Sequence, residues 1–343
     1  MAALPEYPDA RIVELRGVTA EDLNPLLEEE AAVWRTALHW DLRPSADLVR
    51  RFLRMQSLSG AALLAGRGVA GYAYYVTEEH KGLIGDLYIA QRERTPEREA
   101  ALMEAALDAM WATPGVRRVE AQLLMLEPMA GRRLPYAPWS QSHARWFMRV
   151  PTTEIAGLPA HALNGIEIMP WLEAYQDESA RLVTTAYEGH IDSQINDQYR
   201  SAAGARRFLH NIIQYPGCGT FFAPASFGAA ERKLGRLCAI SLASLVAADS
   251  GHITQVCVAP SLRHTGLGYE LLRRSLRALA VHGCRSVSLT VTAANHEAIR
   301  LYERMGFRCI RQFAAHVWEN KGTGYSIAEL PAPSRGGNRK FGD

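Results

Sequence analysis

A chain of 343 residues is longer than the roughly 250–300 residues at which single hydrophobic cores stop growing, so two domains are expected. Hydrophobic residues make up 48% and charged residues 22%, which excludes a disordered chain. The 38 Lys and Arg against 36 Asp and Glu leave a net charge of +2 with no block of like charge, which argues against nucleic acid or an anionic membrane as partner and for a small or neutral ligand.

In chain order, residues 11–16 alternate like a short strand, and Thr19 to Asp22 carries the hydroxyl-then-acid pattern of a helix cap, opening a helix to about Trp40. A second helix is expected near 45–56. Strand-like runs follow at 61–65, 69–76 and 83–90, the first two joined by a Gly66-Arg67-Gly68 turn. Thr95-Pro96-Glu97 starts a helix to about Trp111, with Pro tolerated in the first turn because its missing donor would be unsatisfied there anyway. Residues 116–125 return as a strand. The stretch 126–165 is rich in Pro and aromatic residues, and the domain junction is placed at its end, near 160.

The later half repeats the order: a strand at 166–170, helices at 171–189 and 203–214, strands near 219–224, 235–247 and 252–259, a helix at 267–282, a strand at 286–292, a helix at 295–305, and strands at 307–318 and 323–329. Residues 331–343 are a loose tail rich in Pro, Gly, Ser and Arg. The repetition holds residue by residue at an offset of 169. Gly82 to Ala90 falls on Gly251 to Ala259, Arg94 on Arg263, and Leu102 and Leu107 on Leu271 and Leu276. Gly266 and Gly268 are replaced in the earlier copy by Glu97 and Glu99. The fold class is therefore α/β, a mixed α+β sheet flanked by helices, in two tandem copies of one unit: residues 1–160, residues 161–330, and the tail.

The turn Arg263-x-x-Gly266-x-Gly268 follows a strand and opens a helix. Glycines lack Cβ, so an anion can approach the amides of the helix start, where the dipole also favours negative charge. A pyrophosphate suits such a site, although a glycine pair alone could equally serve close helix–sheet packing. In the earlier copy the carboxylates of Glu97 and Glu99 would repel a pyrophosphate, so residues 1–160 are not expected to bind one.

After the apolar strand at 287–291 comes Asn295-x-x-Ala298-x-x-Leu301-Tyr302-x-x-x-Gly306-Phe307. Together the two motifs resemble the GCN5-related N-acetyltransferase (GNAT) superfamily, strongly over about 251–307 and in element order over the whole later half. The earlier half resembles a degenerate GNAT copy with neither motif intact, as in tandem GNAT proteins.

That resemblance implies an acetyl-CoA-dependent acyltransferase acting on an amine of a small molecule. Val256, Cys257 and Val258 would hold the pantetheine arm through backbone groups. The amides of His264, Thr265, Gly266, Leu267 and Gly268 would hold the pyrophosphate, with Arg263 at the rim, and Asn295 would contact the cofactor near its pantetheine. Tyr302 stands where family members place the acid for the leaving thiolate, or else packs against the cofactor. Some members carry a Glu eleven residues before the turn's Arg; here that position is His252, either a base or a structural histidine. Cys257 as a covalent nucleophile is the weaker reading, buried cysteines being small hydrophobes more often.

Tyr187 to Asp192 with Asn196 and Asp197 form either an acceptor lip or a solvated loop. His316 and Trp318 line the acceptor pocket or pack, and Trp34, Trp40, Trp139 and Trp146 are core or interdomain contacts. No His, Asp, Glu or Cys set has metal-ligand spacing, and the five cysteines, all in the later half with no C-x-x-C pair, suggest a reducing cytoplasm. Residues 1–15 contain Glu6 and Asp9 and no signal-like apolar run, and no transmembrane stretch is expected. Two other functions stay open: an acyl-CoA-binding regulatory module without turnover, and acetylation of a protein N-terminus or lysine. A homodimer is also left open.

Overall fold

The computed structural model describes residues 10–319 except 67, 127–133 and 216. The earlier half contains β1 (Ala10–Glu14), α1 (Ala20–Leu38), α2 (Arg43–Arg54), β2 (Ser59–Ala65), β3 (Gly68–Glu78), β4 (Lys81–Ile89), α3 (Pro96–Trp111), β5 (Arg118–Gln122) and β6 (Ser140–Pro151). The later half contains β7 (Ile166–Pro170), α4 (Gln176–Ala186), α5 (Asp192–Ile195), α6 (Ala202–Gln214), β8 (Thr220–Phe221), β9 (Phe227–Glu231) and β10 (Arg236–Ala247). It continues with β11 (Ser250–Val258), α7 (Leu267–His282), β12 (Ser286–Thr292), α8 (His296–Arg304) and β13 (Arg308–Glu319).

Local chemistry accounts for the boundaries. Thr19 accepts from the Asp22 amide at 3.1 Å while Asp22 reaches back to the Thr19 amide at 3.3 Å, the reciprocal cap that the sequence pattern suggests. Pro96 takes the first turn of α3, with Thr95 as its cap. Three elements go beyond the sequence expectation: β6, inside the Pro-rich stretch 126–165, and the short β9 and α5. The expected strand at 323–329, the tail 331–343 and Arg67 of the hairpin turn lie outside the described residues.

Helices cover both faces of a mixed sheet. In the earlier half, Leu102, Leu107 and Met110 of α3 pack with Leu63 and Ile84 on one face, while Leu23 and Leu27 of α1 pack with Ala62 and Tyr72 on the other. In the later half, Leu272, Leu276 and Leu279 of α7 meet Val287 and Leu289, and α4 and α6 cover Ile240 and Leu242. The offset of 169 carries β4 onto β11 end to end, and β6 onto β13 within one residue.

The two sheets join into one, in the order β1-β2-β3-β4-β5-β13-β6-β12-β11-β10-β9-β7, with β8 beside β10. The last described strand of each half is thus exchanged: β13 pairs with β5 of the earlier half, β6 pairs with β12 of the later half, and β6 and β13 pair with each other. A shared core of Trp34, Leu38, Trp40, Phe147, Val246 and Phe313 sits across the seam. Each such large apolar side chain contributes about 2–3 kcal/mol when fully buried, so the halves are held by a core rather than a linker. The expectation for Trp34 and Trp40 as interdomain contacts holds.

Candidate active site

The site starts where β11 leaves β12. These strands pair in parallel only from Ser250–Ile253 to Ser286–Leu289. Beyond that point Thr254 is an extra residue in β11, opposite the Leu242/Ala243 step of β10, and its hydroxyl donates to the Leu242 carbonyl at 3.1 Å. From Thr254 to Val258, β11 pairs with β10 alone, leaving its other edge open to a cavity of about 610 Å³.

Val256, Cys257 and Val258 all line this cavity. Val256 turns its carbonyl to the open side, where the Tyr187 hydroxyl lies 3.4 Å away. Cys257 is buried among the apolar residues under α4 and α6, and burial pushes its thiol up to about 12, so it is a neutral small hydrophobe and a poor nucleophile.

At the end of β11 the chain turns through His264 (φ 63°) and Gly266 (φ 83°) into α7. Gly266 is the N-cap and supplies no side-chain acceptor, so the first amides of α7 have no cap from the protein. A Cβ at Gly266 would stand 2.3 Å from the His161 ring, so positive φ and close approach both demand glycine there; at Gly268 a Cβ would make ordinary contact with Val258 at 3.4 Å.

Arg263, His264, Gly266 and Gly268 line the cavity. Thr265 and Leu267 differ from these in their side chains. The Thr265 hydroxyl donates to the Leu262 carbonyl at 2.8 Å, while Leu267 is buried in the core beneath the turn. Only their backbone can serve a ligand. Arg263 donates to the Ala186 carbonyl at 2.6 Å, tying the turn to the end of α4.

Asn295, Tyr302, His190, Asp192, Arg145 and Gln122 also line the cavity. Asn295 caps α8 by accepting from the Ala298 amide at 3.2 Å, and its amide nitrogen is 3.3 Å from His190 Nε2. Tyr302 is buried, its ring tilted against Phe307, and burial with the nearby Asp192 raises its phenol above the usual range. Asp192 is held by the Thr292 hydroxyl, has His190 Nδ1 at 3.7 Å, and faces the Arg145 guanidinium at 3.8 Å. Tyr187, His190, Asp192, Asn196 and Tyr199 all line the cavity, so the segment from Tyr187 to Tyr199 forms one of its walls.

Gln122 and Arg145 belong to the earlier half and were not anticipated. The single signal for them is polar residues within strands: Gln122 ends β5, and Arg145 sits in the exchanged β6, where it donates to the Thr290 hydroxyl at 3.2 Å.

His252 reaches the cavity but sits in a structural environment. Its ring packs edge-on to Trp40 at 4.9 Å and parallel to Phe147 at 6.4 Å, and its Nδ1 is 2.9 Å from the Ser288 hydroxyl. Burial lowers its pKa to about 3, so it is neutral and weakly basic at physiological pH. Of the two readings of His252, base or structural histidine, that environment favours the structural one, since an imidazole that resists protonation is a poor acceptor for an ammonium proton.

The matching turn of the earlier half is chemically closed. The Thr95 hydroxyl accepts from the Arg98 amide at 3.3 Å, and the Glu97 carboxyl is lowered by its own backbone amide and by Thr95. The protein's own groups thus occupy the helix start that is bare in the later half. His316 and Trp318 pack instead of lining the cavity: His316 is 2.9 Å from the Ser142 hydroxyl, and Trp318 donates to the Pro135 carbonyl at 2.8 Å. Trp146 is half-buried against the later core, and Trp139 stacks on Tyr136 near the surface. Among the described residues, no cluster of three or more His, Cys, Asp or Glu could hold a metal ion, and no helix is long and apolar enough to cross a membrane.

A family model described as the acetyltransferase (GNAT) family matches residues 190–307, which span the open edge, the bare turn and α8. A mycothiol acetyltransferase of Thermobispora bispora is 30% identical over 305 residues, covering 86% of this chain and 95% of that relative. The chain belongs to the GNAT acetyltransferase family.

A second mycothiol acetyltransferase, from Saccharopolyspora erythraea, is 26% identical over 71% of this chain and 80% of its own. Among solved structures, a GCN5-related N-acetyltransferase from Sphaerobacter thermophilus has a TM-score of 0.64 at 19% identity, covering 92% of this chain and 97% of that one. A tandem GNAT protein from the clavulanic acid biosynthesis pathway has a TM-score of 0.60 at 14% identity, covering 91% and 98%. These share the fold along nearly the full chain, so this N-acetyltransferase carries the GNAT unit in tandem.

Proposed function

We propose that this GNAT protein transfers the acetyl group of acetyl-CoA directly to a primary amine of a small molecule, binding the coenzyme in residues 161–330 and not in residues 1–160. The observation that carries this is the uncapped helix start at Gly266 beside the open edge of β11, in a cavity that Asp192 and His190 also line. These residues fit the coenzyme. The amides of His264 to Gly268 would receive its pyrophosphate with help from the helix dipole, Arg263 would stand at the rim, and Val256 to Val258 would hold the pantetheine arm as an added strand.

Acetyl-CoA supplies a thioester open to attack by an amine. Tyr302, its pKa raised by burial, keeps its proton at neutral pH and is the group to deliver it to the departing thiolate. For the proton leaving the amine, His190 is more accessible than His252, lining the cavity with its side chain 25% exposed; to accept that proton its ring must release the Asp192 amide, which donates to Nδ1 at 3.1 Å. Asn295 holds His190 and the start of α8 together on the coenzyme side. His252 supports the cavity floor.

Two features favour a small acceptor over a protein: walls contributed by both halves, and relatives named for a small-molecule thiol. Free thiols at all five cysteines suit a reducing cytoplasm. The test is formation of coenzyme A, resolved by chromatography, with tyramine, spermidine, D-glucosamine, L-cysteinamide or short peptides as acceptor. At least one amine should accelerate its formation well above hydrolysis. Coenzyme binding without acceleration by any amine would favour a regulatory module, and acceleration by peptides alone would favour a protein acceptor.

A further inference from the structure

We infer that the coenzyme-free half is a positioning device for the acceptor, acting through Lys81, Arg118 and Glu120 on the wall segment that contains α5. The inference rests on the acetyl-transfer reading above. Lys81 begins β4 and Arg118 begins the adjacent β5, where Lys81 and Arg118 are parallel partners. Arg118, Glu120 and Gln122 alternate on β5, so their side chains share a face. The first two meet the later half's loop, and the third lines the cavity.

The bonds are directional and sit behind the wall. Arg118 donates to the Gln194 carbonyl at 2.5 Å and approaches that of Ile195 at 3.4 Å. The Asp197 amide donates to Glu120 at 3.0 Å, and Lys81 bridges Glu120 at 3.2 Å and the Asp197 carboxylate at 2.5 Å. Arg118 also pairs with Glu120 at 2.6 Å and with Glu319 of β13 at 3.1 Å. The held residues, Gln194, Ile195 and Asp197, alternate along the segment with Asp192, Asn196 and Tyr199, which line the cavity. Pulling on one set aims the other.

Side-chain exposure is 12% for Lys81, 6% for Arg118 and 4% for Glu120. Buried ion networks are poor stabilisers compared with apolar contacts of the same size, because desolvation offsets most of the attraction. What such a network supplies is a fixed geometry between the groups it joins. None of its members belongs to the coenzyme turn or to the open edge of β11; the wall it holds meets that edge through Tyr199, whose hydroxyl donates to the Gln255 side-chain oxygen at 3.3 Å.

The test uses the full chain as wild type, Glu120→Gln, Lys81→Met and Lys81→Arg. It combines hydrogen–deuterium exchange over residues 190–201 with steady-state kinetics on tyramine, spermidine, D-glucosamine and L-cysteinamide. Glu120→Gln, which keeps the shape and an acceptor for the Asp197 amide, and Lys81→Met should each raise the acceptor KM about tenfold, leave the acetyl-CoA KM within about twofold, and speed exchange in 190–201. Lys81→Arg should restore most of the acceptor KM. Unchanged acceptor KM and exchange in both variants would overturn the inference, as would a parallel rise of both KM values with a lowered melting temperature. If the wild type turns over none of the amines, the transfer reading fails, and exchange over 190–201 then decides the clamp by itself.

Discussion

Arg94 Nε lies 2.5 Å from a carboxylate oxygen of Glu99, and this pair separates the two copies of the repeat. Arg94 corresponds to Arg263 and Glu99 to Gly268 at the offset of 169. In the later copy the arginine is exposed at the mouth of the cavity, next to bare amides. In the earlier copy it is turned inward, neutralised by Glu99 and bonded to the Met125 carbonyl at 2.8 Å. The carboxylate that stands in place of a glycine thus serves as a structural contact.

Glu99→Ala should therefore act on stability and not on coenzyme binding. It leaves a partly buried guanidinium without its carboxylate, at a cost of about 2 kcal/mol. Denaturant unfolding with and without coenzyme A would check this: a lower midpoint with an unchanged coenzyme affinity is expected.

Tyr302→Phe keeps the ring against Phe307 and removes only the hydroxyl. Loss of a general acid should lower kcat by about a hundredfold while the acetyl-CoA KM stays within about twofold. Undiminished turnover at saturating acetyl-CoA would assign Tyr302 to packing alone.

His252 gives a pH signature in stability. Below its ordinary value of about 6.5 the unfolded imidazole takes a proton that the folded one, with a pKa near 3, does not. Stability is therefore fully present above about pH 6.5 and falls as pH drops toward 3. Between pH 7 and pH 5 the wild type should lose about 2 kcal/mol more than His252→Leu in urea unfolding. The pH dependence of turnover should be the same in both proteins; a shifted profile in the variant would return His252 to the role of base.

The turn into α7 and the start of α8 could be read from local sequence because their determinants are local: an apolar strand, glycines at a helix start, and Asn295 capping the short helix that carries Tyr302. The bounds of α7 and β12 match the sequence expectation to the residue. β6 could not be read that way. Its first half carries Ser140, Gln141, Ser142, His143 and Arg145, and only Phe147, Met148 and Val150 are fully buried, so no alternation marks it. Its partners are more than 130 residues away, which no window of local pattern can reach.

The same distance hid Arg145 and Gln122 from the candidate site and Trp40 and Phe147 from the surroundings of His252. Tyr187 to Asp192 with Asn196 and Asp197 stood out as polar and aromatic residues, as a lip or a solvated loop, but their bonds to the earlier half did not, since Lys81, Arg118 and Glu120 read as ordinary charges on a strand edge until the halves are brought together.

The most direct measurement is a calorimetric titration of the full chain with coenzyme A, comparing wild type with Gly266→Val. Valine at a φ of 83° is strained by about 1–3 kcal/mol, and its side chain would enter the space of the His161 ring next to the bare amides. The expected result is about one equivalent bound per chain in the wild type, with affinity in Gly266→Val weakened at least about tenfold while the fold is retained. Two equivalents per chain, or unweakened binding in Gly266→Val, would contradict a single coenzyme site in the later half of a duplicated chain.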